Sequence, residues 1–149
     1  MHPSECERPG VLVYFPSVHE VHEPLAVELS GMLAELAELG DVAKSIELAI
    51  ELLGTCVAEG LPILICGNGG SAADALHISG ELVGKFLKDR KALNVICLNA
   101  NVAVLTAWSN DFQYETSFSR QVEAHGEKGG VLWVLSTSGN SENVLLACK

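Results

Sequence analysis

Three short apolar runs divide the second part of the chain: 63–66 (Ile-Leu-Ile-Cys), 94–98 (Asn-Val-Ile-Cys-Leu) and 131–135 (Val-Leu-Trp-Val-Leu). Each is strand-length; the first, rich in β-branched residues and bounded by Pro62 and Gly67, reads as a buried parallel strand, the last fits a buried strand, and the middle run reads as the second strand. Between and around them the spacing turns helical. The pattern predicts a helix entered from Ser71, a short helix over 102–108 that ends before Asn110-Asp111, a helix over 113–125, and a last helix from Glu142. Upstream, Leu29, Leu33, Leu36 and Leu39 recur at helical spacing over 25–39, Gly40-Asp41 gives a stop followed by a cap, and a second helix runs to Glu59. Strands alternating with helices favour an α/β fold: a doubly wound parallel sheet with ligands beyond the carboxyl ends of the strands.

Composition narrows this picture. At 149 residues and 48% hydrophobic content, the chain has enough apolar material for one domain with a real core. Its formal charge of -10 argues against a nucleic-acid partner or an anionic membrane surface, so any phosphate must be held by local dipoles. Five cysteines without CxxC spacing, with Cys66 and Cys97 inside strand-like runs, read as reduced buried thiols and point to the cytoplasm. The opening residues contain no signal-peptide h-region, and no apolar run reaches the roughly twenty residues of a membrane span. Segment 1–24, with Pro3, Pro9, Pro16 and Pro24 among His2, His19 and His22, has no sustained period and reads as an irregular arm. Trp108 and Trp133 read as core, and His125 as a charge or cap at a helix end.

The candidate chemistry begins where the first strand meets Gly67-Asn68-Gly69-Gly70-Ser71. The glycines permit positive φ and close approach to a ligand, Asn68 and Ser71 offer side-chain hydrogen bonds, and Ser71 is placed to cap the next helix. Free amides and the dipole at the start of that helix favour an anion or a sugar oxygen. No lysine follows the glycines and the spacing is not GxGxxG, so this is not a nucleotide signature. His77 and Glu81, four residues apart, share one face of the same helix and suit Zn²⁺, although a surface His–Glu pair has the same spacing. After the third run, Ser136-Thr137-Ser138-Gly139-Asn140-Ser141 crowds hydroxyls around a glycine, a neutral cradle suited to a sugar phosphate, with Ser141 as the cap of the last helix.

GNGGSAADALHISGEL from Gly67, the Asn110-Asp111 pair, FSRQVEA from Phe118 and STSGNS from Ser136 occur in the order found in phosphoheptose isomerases. The chain resembles that branch of the sugar isomerase (SIS) domain family from about Leu33 onward. The resemblance implies a SIS-type sheet, flavodoxin-like and three-layered, over 25–149, with N-terminal helices packing between subunits of a homo-oligomer, a tetramer. It implies a cytoplasmic enzyme that converts sedoheptulose 7-phosphate to D-glycero-D-manno-heptose 7-phosphate through an enediolate and feeds heptose into lipopolysaccharide or a related glycoconjugate. Asn68, Gly69, Gly70, Ser71, Glu81, Asn110, Asp111, Ser136, Thr137, Ser138 and Ser141 become the expected substrate contacts, His77 and Glu81 the expected zinc ligands, and Glu81 the expected catalytic base.

Family members continue past the second loop and supply a glutamine and a histidine from a final helix. This sequence stops at Lys149. The expectation is therefore a domain C-terminally incomplete relative to the family, whether as a fragment, a natural truncation or a protein whose site another chain completes, with weak zinc binding and little isomerase activity in isolation. A non-catalytic SIS protein that senses sugar phosphates or regulates assembly is the alternative from another class. Such proteins tend to lose the carboxylate at the Glu81 position. The amino-sugar branch of the family fits the GNGGSAADA wording less well.

Overall fold

A computed structural model describes residues 42–149 apart from Lys88. The expected arm over 1–24 and the helix over 25–39 with its Gly40-Asp41 stop lie outside the described residues. In chain order the described elements are α1 (Val42–Glu59), β1 (Ile63–Gly67), α2 (Gly70–Val83), β2 (Val95–Cys97), α3 (Val102–Asp111), a 3-10 turn (Tyr114–Thr116), α4 (Ser117–His125), β3 (Val131–Leu135) and α5 (Glu142–Ala147). The strands form one parallel sheet in the order β2-β1-β3, with Ile63 opposite both Val95 and Val131.

The alternation of side chains along β1 explains the layering. Ile63 and Ile65 face one side, where they pack with Cys56 of α1, Ala75 of α2, and Val95 and Cys97 of β2. Leu64 and Cys66 face the other, against Phe118 of α4 and Val144 and Ala147 of α5. Helices thus cover both faces, and a strand buried on both needs the near-continuous apolar run that β1 has. Burying each of Ile63, Leu64 and Ile65 contributes about 1.5–3 kcal/mol. Burial also pushes the Cys66 thiol up to about 12, with smaller contributions from the nearby Cys148 and Cys97 thiols, so Cys66 is a neutral core group rather than a nucleophile. Cys148, by contrast, is exposed.

Several boundaries differ from the sequence expectation. The helix expected over 102–108, whose start Asn101 caps by accepting from the Val104 amide, continues through Asn110 and Asp111: no proline or glycine interrupts it, and the Phe112 amide still donates to Trp108 O at 2.9 Å. The helix expected from Gln113 starts at Ser117, since Gln113 is extended and the next three residues form the 3-10 turn. His125 does end α4 as expected. β3 is half-buried rather than buried, being at one side of the described sheet. Trp133 packs beside the first core cluster as a partly buried residue. Trp108 is not core: it stacks on Phe112 at 4.2 Å, carries the Arg120 guanidinium over its ring at 5.0 Å, and donates from Nε1 to Thr116 Oγ1 at 2.8 Å.

The glycines of the first turn divide by role. A Cβ on Gly67 would lie 2.7 Å from both Ser71 Cβ and Ser71 O, whereas one on Gly70 would meet nothing within 4 Å. Gly67→Ala is expected to cost about 1–3 kcal/mol by overpacking the strand-to-helix junction, and Gly70→Ala to change stability by less than about 1 kcal/mol. Urea unfolding of the two variants beside the parent measures the difference.

Candidate functional site

β1 and β3 are neighbours, and their register pairs Gly67 with Leu135. The two turns therefore leave adjacent parallel strands at the same level. With β2 on the other side of β1, this is the point where the strand order reverses, the place where doubly wound sheets open a crevice for ligands.

In the first turn only Gly69 has positive φ, at 56°, and it occupies the N-cap of α2. The expected cap, Ser71, instead lies inside the first turn of α2, and Gly70, expected to share the positive φ, is the first helical residue. Gly69 O accepts from the Ala72 and Ala73 amides at 3.1 and 3.3 Å. That leaves the earlier amides of the helix, those of Gly70 and Ser71, for a ligand. Gly67 is held by Asn99: its amide donates to Asn99 Oδ1 at 3.1 Å and its carbonyl accepts from Asn99 Nδ2 at 2.9 Å. The Asn99 side chain in effect carries the β1–β2 ladder one step beyond the end of β2.

Asn68 is half-buried and joins three segments. Its Nδ2 donates to Asn143 Oδ1 at 2.8 Å, and its Oδ1 accepts from Asn143 Nδ2 at 2.9 Å and from the Tyr114 hydroxyl at 2.7 Å. Asn143 opens α5 just after the serine loop, so this amide pair ties the first turn to the second. Asn99, Tyr114 and Asn143 were all missed by sequence reasoning. An asparagine after a strand or near a helix start looks like ordinary turn chemistry, and no spacing rule pairs residues 75 positions apart.

In the second turn Gly139 has φ 64°. Ser136 Oγ accepts from the Gly139 amide at 3.1 Å and Ser138 Oγ from the Asn140 amide at 3.2 Å. Both hydroxyls retain their own hydrogen to donate to an anion. Thr137 is exposed. Ser141 stands at the N-cap of α5 as expected, but its hydroxyl makes no capping bond; its carbonyl accepts from Val144 and Leu145 instead.

His77 and Glu81 lie on one face of α2 with Nε2 and Oε1 3.8 Å apart and side chains 77% and 39% exposed. They stand seven and eleven residues beyond Gly70, about 10 and 16 Å along the helix, so one ligand reaches both the turn and Glu81 only if it is extended. Imidazole and carboxylate on one face are the right chemistry for zinc, but two donors do not complete a shell, and the described residues contain no group of three or more candidate ligands. Asn110 and Asp111 bond to each other at 2.9 Å at the end of α3 and make no hydrogen bond to either turn among the described residues. Asp111 instead borders a groove of about 370 Å³ between α3 and α4.

Because Asn99 satisfies both backbone groups of Gly67, Asn99→Ala is expected to destabilise the fold by about 1–3 kcal/mol. Asn99→Asp, which keeps the acceptor but sets a carboxylate against the Gly67 carbonyl, should not restore it. Thermal unfolding of both variants checks this.

No helix among the described residues is long and apolar enough to cross a membrane. The phosphoheptose isomerase of Crocosphaera subtropica is 52% identical over 106 residues, spanning 71% of this chain and 54% of that protein. That of Campylobacter jejuni is 46% identical over 128 residues, spanning 86% and 63%. Among solved structures, a phosphoheptose isomerase from Francisella tularensis matches with a TM-score of 0.74 at 32% identity, over 84% of this chain and 65% of that one. The Neisseria gonorrhoeae phosphoheptose isomerase gives 0.70 at 38% identity, over 85% and 66%. The chain spans about half the length of the first of these curated relatives. The SIS domain pattern covers residues 29–149, a range that includes both turns at the strand-order reversal; the chain belongs to the SIS domain family.

Proposed function

We propose that this chain carries the sugar-phosphate cradle and the catalytic base of a phosphoheptose isomerase, which converts sedoheptulose 7-phosphate to D-glycero-D-manno-heptose 7-phosphate. The observation that carries the proposal is the convergence of the two turns at one level of the sheet, joined through Asn68 and Asn143, with Glu81 on the helix that leaves the first turn. The relatives named phosphoheptose isomerase support the same reaction.

The phosphate is held by neutral groups: the Gly70 and Ser71 amides, the Ser136 and Ser138 hydroxyls, and Thr137 and Ser141 beside them. A chain with net charge -10 has no general field to attract an anion, so directed N–H and O–H donors must do so. An extended seven-carbon ligand then passes along α2 towards Glu81. The Glu81 carboxylate takes a proton from C1 of the ketose, electrons from the C–H bond form the enediolate, and the proton returns to C2 while the hydroxyl proton moves from O1 to O2. His77 and Glu81 would supply two donors to a zinc ion whose other ligands lie outside the described residues. Bound there, zinc would polarise the substrate carbonyl. Asn110 and Asp111 contact the sugar in this scheme from the end of α3.

Exposed apolar residues on α1, among them Ile46, Leu48, Ile50 and Leu52, support association with further copies into a homo-oligomer, the tetramer that the family resemblance implies. The buried thiols support a reducing, cytoplasmic setting, and the heptose product would serve surface lipopolysaccharide or a related glycoconjugate.

Proton abstraction is observable even where full turnover is slow. In D₂O the chain should wash deuterium into C1 of sedoheptulose 7-phosphate, followed by NMR, and Glu81→Gln should slow that exchange by a factor of about 10²–10⁴. Equal exchange in both proteins excludes Glu81 as the base. Binding of the sugar phosphate with no exchange in either would favour a non-catalytic sugar-phosphate sensor.

A further inference from the structure

The direction of every hydrogen bond around Asn68 is fixed by a group that cannot reverse. The Val144 amide can only donate, and it shares its hydrogen between Asn143 Oδ1 and Ser141 O, each at 3.0 Å, so the Asn143 atom beside it must be the oxygen. The Asn143 oxygen is thereby placed, and its Nδ2 is the atom that faces Asn68 Oδ1 at 2.9 Å. Asn68 in turn must present Nδ2 to Asn143 Oδ1, at 2.8 Å. The Tyr114 hydroxyl, 2.7 Å from Asn68 Oδ1, can only donate to that oxygen.

Two consequences follow for the Asn68 carboxamide. Both lone-pair directions of its oxygen are occupied, one by Asn143 and one by Tyr114. One Nδ2 hydrogen is used, and the other, which in a reciprocal amide pair points away from the partner, has no acceptor among the described residues. An asparagine free to turn can offer a ligand either a donor or an acceptor; this one offers a donor alone.

We propose that Tyr114 and Asn143 are positioning residues that lock Asn68 as a one-way hydrogen-bond donor, so that this corner of the site accepts only an oxygen bearing a free lone pair, such as a phosphate, carbonyl or hydroxyl oxygen. The identity of that ligand rests on the sugar-phosphate function proposed above; the lock itself does not. Tyr114 suits the role because its own base is anchored: Thr116, two residues on, takes the Trp108 indole N–H at 2.8 Å, and the Thr116 amide closes onto Gln113 O at 3.2 Å. Asn143 suits it because it is buried at 3% exposure, where an unpaired carboxamide would be costly. Tyr114 is 47% exposed, so removing its hydroxyl leaves the core untouched.

The test uses the side-chain amide signals of the ¹⁵N-labelled chain, with Asn68 assigned through Asn68→Asp. Tyr114→Phe should shift the Asn68 and Asn143 carboxamide signals together, leave that of Asn99 in place, and lower the unfolding midpoint by no more than the loss of one neutral hydrogen bond does. Titration with sedoheptulose 7-phosphate should move the free Asn68 proton in the parent, and Tyr114→Phe should weaken binding by about five-fold, the scale of one neutral hydrogen bond. Asn143→Asp, nearly identical in shape but unable to donate to Asn68, should weaken it at least as much. Unmoved Asn68 and Asn143 signals in Tyr114→Phe overturn the lock, as does unchanged affinity in both variants. A parent that fails to bind the sugar phosphate contradicts the proposed function, while the ligand-free shifts still decide the lock.

Discussion

Burial of β1 on both faces is the constraint from which the rest of the described structure follows. Its side chains alternate between two apolar clusters, so a slip of one residue would exchange Ile63 and Ile65 with Leu64 and Cys66 and misplace every partner above and below. Register fixed in this way also fixes where the strand stops. Gly67 ends opposite Leu135, and both turns then begin from a common level. The site is positioned by hydrophobic packing some distance from any group that would touch a ligand.

Packing alone does not orient polar groups, and at the strand ends asparagines take over. Asn99 closes the last step of the β1–β2 ladder, and Asn143 closes the gap between the first turn and α5. Each works as a reciprocal pair, donor and acceptor on both sides, which satisfies backbone or side-chain groups that the ends of strands and helices otherwise leave open. The serine loop applies the same economy differently: its hydroxyls accept locally from Gly139 and Asn140 and retain their own hydrogens as donors. In a polypeptide with ten excess negative charges, the proposed phosphate site would depend on aligned dipoles.

Much of this was legible in the sequence. The three apolar runs became the three strands, within a residue or two, because short β-branched segments between turn formers admit few other solutions. The two glycine-containing turns were found because glycine beside serine and asparagine has few reasons to follow a buried strand. Boundaries were less legible. α3 runs through Asn110-Asp111 because the poor helix propensity of that pair costs little without a proline or glycine to break the ladder, and the 3-10 turn before α4 leaves no pattern distinct from a helix start. Trp108 was expected inside on hydrophobicity alone, yet it serves as a half-buried bracket between Phe112, Arg120 and Thr116. The partners of Asn68 could not be read from sequence, since they depend on tertiary contacts spanning 46 and 75 residues.

The central claim is that the turns after β1 and β3 are two halves of one ligand site. Amide hydrogen exchange with and without sedoheptulose 7-phosphate tests it most directly. The account predicts that the ligand slows exchange in both turns in concert, over 68–71 and over 136–141, with the same concentration dependence. Protection confined to one turn, or appearing only in the groove between α3 and α4, would contradict it.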